Sequence, residues 1–171
     1  THARNAGPTH GVPRMIARAY GAVGLDGSAL EQRLLHRLQR DGVRHAELEA
    51  GALVELLGGT RDAQPSTSAV RFASPEERYL STEGVLAREA AARPVIVWLD
   101  DVQWGGDAIA LTRHALDHLE APVLFVLTAQ DEALAERDGE REALEALEAH
   151  DRADTRWVGP LSPGDTAALV E

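Results

Sequence analysis

The sequence predicts an α/β domain built on a parallel sheet, and three observations lead there. Two apolar, β-rich runs, VIVWL at 95–99 and PVLFVLTA at 122–129, lack the alternating polar residues that give a strand one wet face. Such runs suit strands of a parallel sheet covered on both sides. The chain between them, with Ile109, Thr112, Leu116 and Leu119 at helical spacing, predicts a helix over about 107–119 and so a right-handed βαβ unit. Two capping-box patterns, Ser28-Ala-Leu-Glu31 and Ser74-Pro75-Glu76-Glu77, announce helices ahead of the strands.

Taken in order, residues 1–12 are polar, carry Gly7, Pro8 and Gly11, and read as loop. Pro13 suits a first helical turn, with Met15, Ile16, Ala19 and Tyr20 as its apolar face and Gly21 as its end. After the connection GAVGLDG, Leu30, Leu34, Leu35 and Leu38 line a second helix. A third covers about 45–57, with Leu48, Ala52, Leu53, Leu56 and Leu57 inward and Gly58-Gly59 as its stop. Residues 60–73 read as a polar loop, and a fourth helix runs from Ser74 to about Ala92, where Arg93-Pro94 breaks it. Beyond the βαβ unit, 131–150 is an acidic helix with Leu134, Leu144 and Leu147 as its apolar positions. Arg156-Trp157-Val158 is a short third strand candidate, and Ser162-Pro163-Gly164-Asp165 opens a last helix. Trp98 and Trp157, lying in strands, are expected in the core.

Composition excludes several chemistries. The chain has 171 residues, enough for one domain, and 17 basic against 28 acidic residues give a net charge of −11. That balance disfavours duplex nucleic acid or an anionic membrane as a partner. With no cysteine, disulfides, thiolate metal sites and cysteine nucleophiles are ruled out. All 17 basic residues are arginine. Schiff-base chemistry, a Ser–Lys pair and a phosphate loop ending in Gly-Lys-Ser/Thr are therefore closed to these residues. No apolar run approaches the roughly 18 residues of a membrane helix and no signal-peptide pattern is present, so the expected compartment is the cytoplasm.

The segment that carries chemistry is Val95-Ile-Val-Trp-Leu-Asp100-Asp101-Val102-Gln103-Trp104. Two carboxylates stand at the C-terminal end of a parallel strand, the end at which open α/β sheets bind ligands. Asp100 can reach a magnesium ion, directly or through its water, and Asp101 can orient or polarise an attacking water. Hydrolysis of a nucleoside triphosphate needs both tasks done. The plainer alternative is that the two acids cap the following turn.

Together with its flanks, RPVIVWLDDVQW, a helix, PVLFVLTAQDEAL and WVGPLSPGDTAALV, the segment resembles the second half of the nucleotide-binding domain of signal-transduction P-loop ATPases. This is the STAND class within the AAA-like group, found in large bacterial regulators, including those fused to serine/threonine protein kinase domains or followed by helical repeats. The resemblance covers about 74–170 closely and 1–73 loosely. It implies a P-loop NTPase three-layer sandwich over 1–158 and the start of a helical lid over 159–171. It also implies ATP and Mg2+ as cofactors, and other domains of the same polypeptide and regulatory proteins as partners. Asp100 becomes the metal ligand and Asp101 the catalytic acid of a Walker B motif. Thr128, at the end of PVLFVLTA, joins Asp100 as a nucleotide-binding residue, and Gln130 after it joins Asp101 as a catalytic one. Three departures stand out. No glycine cluster fits Gly-x4-Gly-Lys-Ser/Thr, so the first strand and phosphate loop are expected to be missing and the chain truncated at its N-terminus. Gln130 replaces an arginine that senses the γ-phosphate. Gly106 occupies the position, two residues after Trp104, where an acid is common, with Asp107 one place later.

Other features have plainer readings. A response-regulator receiver fails because its two corresponding strands are not consecutive and because it needs a lysine. His114 and His118, at i and i+4, have the spacing of a zinc pair but fall opposite the apolar side of their helix, facing water. The reading reached from the residues is an ATP-hydrolysing switch module or, on the same fold, a degenerate module for protein contact without turnover. Without the first strand, the expected sheet shrinks to two or three parallel strands on 95–99 and 123–128.

Overall fold

A computed structural model describes residues 11–58 and 70–170 as a mixed α/β chain, mainly helical, with one small parallel sheet. Residues 1–10 of the predicted loop 1–12 and 60–69 of the loop 60–73 lie outside the described residues, and Val12, read as loop, opens a helix. Helix α1 (Val12–Ala19) has Pro13 in its first turn and buries Val12 and Ile16. Helix α2 (Gly27–Arg40) starts two residues earlier than the capping box predicts. Asp26 is its N-cap and accepts a hydrogen bond from the Gly27 N–H at 2.8 Å, which leaves Ser28 inside the first turn. Its buried positions, Leu30, Leu34 and Leu38, follow the expected spacing, and it packs against α3 (Ala46–Leu56). In α3 Leu53 and Leu56 are buried as expected, whereas Leu48 points to solvent.

Helix α4 (Pro75–Ala92) begins at Ser74 and ends ahead of Pro94, as its sequence dictates. Its Glu77 carboxylate reaches back to the Ala73 N–H at 2.8 Å, one residue further than a capping box requires. Arginines tie α4 to the first three helices. Arg37 of α2 meets Glu89 at 3.2 Å, and Arg88 donates to the Tyr20 hydroxyl at 3.1 Å and pairs with Glu49 of α3.

Strands β1 (Val95–Leu99) and β2 (Val123–Leu127) pair in parallel, in the register Val95↔Val123 to Leu99↔Leu127, and α5 (Gly106–His118) connects them. This is the two-strand version of the expected sheet. One face, with Val97, Leu99 and the partly buried Val123, Phe125 and Leu127, joins the helices in a single core. A buried side chain of this kind stabilises by roughly 1.5–3 kcal/mol.

Four expectations are corrected. The strands are not covered on both sides: Ile96, Trp98, Leu124 and Val126, alternating with the core residues, are 69%, 67%, 58% and 40% exposed. Trp98 is thus outside the core. Arg156-Trp157-Val158 pairs with neither strand, and Trp157 is 79% exposed. The acidic stretch is two helices, α6 (Asp131–Leu134) and α7 (Asp138–Glu148), because its apolar positions are too sparse to hold one continuous face. Only Leu147 of α7 is fully buried, on the side where α7 packs against α5. Helix α8 (Pro163–Val170) starts where Ser162-Pro163 predicts.

Candidate functional site

The parallel pairing of β1 with β2 brings their C-terminal ends side by side. Asp100 and Asp101 leave β1 while Thr128 leaves β2, and two backbone bonds cross between them. The Thr128 N–H donates to Leu99 O and the Val102 N–H to Thr128 O, each at 3.0 Å. The four predicted site residues therefore meet although Thr128 and Gln130 lie 27 to 30 positions beyond the two acids in the chain.

The Thr128 hydroxyl donates to Asp100 Oδ1 at 2.5 Å and accepts from the Asp101 N–H at 3.2 Å. One hydroxyl thus touches both acids. Asp101 Oδ1 accepts from two amide groups, Gln103 Nε2 at 3.2 Å and Gln130 Nε2 at 3.1 Å. The Gln103 Oε1 in turn accepts from the Gln130 N–H at 3.4 Å. Asp100 and Asp101 are partly exposed and Thr128 and Gln130 are exposed, so the group faces water at the sheet's C-terminal edge.

Asp101 has φ 58° and ψ 45°, the one left-handed residue other than glycine among those described. That conformation costs an L-residue roughly 1–2 kcal/mol, and aspartate tolerates it better than most. Its effect is to turn the chain sharply off β1 into a single 3-10 turn, Val102–Trp104, ahead of α5. The turn buries Val102 and Gln103 completely.

Sequence reasoning missed Gln103. It stands in the quoted segment, and the available signal was an amide residue between the apolar Val102 and Trp104. Such a residue, once buried, must find partners for both ends of its amide. Arg137 was also missed. Its guanidinium lies over the Trp104 ring, 4.9 Å from the centroid, and donates to Glu140 Oε1 at 2.8 Å. That bond holds the Glu140 carboxyl below its ordinary range. Asp107 is exposed, has Arg78 at 3.9 Å, and stays outside the acid group.

His114 does not face water, as its helical position suggested. Its Nδ1 donates to Glu83 Oε1 at 2.6 Å, and both side chains are largely buried between α4 and α5. The His118 ring stacks on it with centroids 4.3 Å apart, and the His118 Nδ1 donates to the His114 carbonyl at 2.8 Å. The pair joins two helices. Among the described residues no three acidic or histidine side chains group to hold a metal.

Asp100, Asp101 and the Thr128 hydroxyl offer hard oxygen donors on one edge. That set suits magnesium, which keeps most of its waters and asks for only one or two carboxylates beside phosphate oxygens. A separate cavity of about 350 Å³, lined by Glu55, Leu56, Phe72, Ser74 and Arg78 among others, contains none of these residues. Among the described residues no helix is long and apolar enough to cross a membrane. No family model, no curated protein and no solved structure matches this chain.

Proposed function

We propose that this chain carries the metal- and water-handling part of an ATP-hydrolysing switch, a module of the P-loop ATPase kind from a bacterial signalling regulator. One observation carries the reading: two adjacent carboxylates, a hydroxyl and an amide converge on the C-terminal edge of two parallel strands. Neighbouring strands of an α/β sheet present their ligand-binding groups at that edge.

Asp100, with the Thr128 hydroxyl beside it, would hold Mg2+. When bound, the ion neutralises charge on the triphosphate. Asp101 accepts a hydrogen bond from the attacking water and takes its proton as the bond from γ-phosphorus to the leaving oxygen breaks. Gln130 steadies Asp101 from the β2 side. These residues hold no lysine and no Gly-x4-Gly-Lys-Ser/Thr loop to cradle the β- and γ-phosphates, so the 171-residue chain alone should bind ATP weakly. The nucleotide and other domains of the same polypeptide are the proposed partners, the cytoplasm the proposed compartment, and 159–171 the proposed start of a lid.

The test is ATP hydrolysis by the natural polypeptide that includes these residues. Asp101→Asn should abolish turnover while sparing nucleotide binding, and Asp100→Ala should weaken Mg2+ dependence. Normal hydrolysis by Asp101→Asn removes the reading. Low-micromolar ATP binding to residues 1–171 alone, measured by calorimetry, removes the claim that these residues lack a phosphate cradle.

A second reading, protein contact without turnover, is favoured by the open sheet face of Ile96, Trp98, Leu124 and Val126. A natural polypeptide that binds its partner through this face and never turns over ATP would select it.

A further inference from the structure

We infer that Gln103 is the positioning residue of the site: it turns Asp101 Oδ1 inward and leaves Oδ2 as the oxygen that meets a water. The geometry stands by itself. Only the role given to the water rests on the hydrolytic reading above.

Gln103 is 0% exposed, so its amide cannot fall back on solvent. Its two ends are not interchangeable. Oε1 faces the backbone N–H of Gln130, which can only donate, and Nε2 faces a carboxylate oxygen, which accepts. Flipping the amide would set donor against donor and acceptor against acceptor, so one orientation is fixed. That orientation links the turn after β1 to the loop after β2 through a single side chain. Gln130 Nε2 reaches the same Oδ1 from the other side. With two donors converging on Oδ1, Oδ2 takes no hydrogen bond among the described residues. The left-handed backbone of Asp101 needs such restraint, because strained conformations persist only where the surroundings over-determine them.

Two measurements test this. In the 171-residue chain, the Gln103 side-chain amide protons should exchange with solvent about tenfold more slowly than those of the exposed Gln39. Asp101→Ala should erase that protection, whereas Asp101→Asn, which keeps an acceptor oxygen, should retain most of it. Exchange as fast as Gln39, or protection indifferent to Asp101→Ala, overturns the inference. In the natural polypeptide, Gln103→Met keeps side-chain length and burial while removing both hydrogen bonds. It should lower kcat about tenfold or more with KM for ATP unchanged. A merely structural defect would instead lower the folded fraction and leave the kcat of the surviving protein intact. An unchanged kcat in Gln103→Met beside lost turnover in Asp101→Asn overturns the positioning role and spares the hydrolytic reading. A wild type without turnover sinks the hydrolytic reading while the exchange result still decides what Gln103 does to Asp101.

Discussion

Asp101 concentrates three demands in one residue: a left-handed backbone, an acceptor for two amides, and a place at the mouth of the site. Substitutions separate them. Asp101→Asn keeps an acceptor oxygen and tolerance of positive φ, so it should cost less than about 1 kcal/mol. Asp101→Ala strands the buried Gln103 amide and adds backbone strain, and should cost about 1–3 kcal/mol in urea denaturation. Asp101→Gly relieves the strain but not the lost acceptor, and should fall between them. Equal costs for the three would mean that neither the φ nor the amides matter. The place of Asp100 and Asp101 is legible in sequence, because an apolar run that stops at two acids marks a strand end. The left-handed turn and the Gln103 bridge are not. Both depend on β2 arriving beside β1, which no local pattern states.

Where two helices meet, the Glu83–His114 pair makes a second prediction. A buried carboxylate that loses its partner keeps its desolvation cost, so His114→Phe should destabilise by roughly 2–4 kcal/mol. Adding Glu83→Leu should recover much of that loss, and purely additive costs in the double-mutant cycle would refute the coupling. The i, i+4 spacing of His114 and His118 revealed their adjacency but not the burial of His114; His118 stays exposed. The side of α5 that carries His114 lies opposite its apolar stripe, and His114 is covered because α4, some thirty residues earlier in the chain, packs there. The boundaries of α4 were legible, since Ser-Pro and Arg-Pro act locally, and the apolar spacing placed α5 within a residue of its ends. The break between α6 and α7 was not, since it follows from how little of this stretch finds a core to face.

The charge distribution of the whole molecule sets its response to acid. Asp41, hydrogen-bonded by Arg37, Asp117, by His150 and then Arg113, and Glu140, by Arg137, all have carboxyl pKa values lowered in the folded chain. Groups depressed by folding stabilise fully above their unfolded pKa values, and that stability is lost as pH falls through the folded ones. The melting temperature should therefore drop between about pH 5 and pH 3, and less steeply in high salt, because these groups lie near the surface. A flat profile would mean that the ion pairs do not persist in solution. The open sheet face gives the companion prediction. Ile96→Thr with Trp98→Thr should reduce dye binding to exposed apolar surface and light scattering while leaving the melting temperature nearly unchanged, since both side chains already face water. A cooperative loss of structure would show that the face is covered in solution. The sequence identified these strands by their apolarity, which is why it also implied two covered faces. Apolarity records what a strand tends to bury, whereas its neighbours decide how much of it is buried. The same arrangement divides the three tryptophans by surroundings: Trp98 on the open face, Trp157 on the unpaired segment, and Trp104 beneath Arg137 one turn from Asp101. The molecule therefore carries its own optical reporters. A soluble quencher should extinguish the first two indoles and spare much of Trp104, and with Trp98 and Trp157 replaced by phenylalanine, the remaining emission should report events at the acid pair alone.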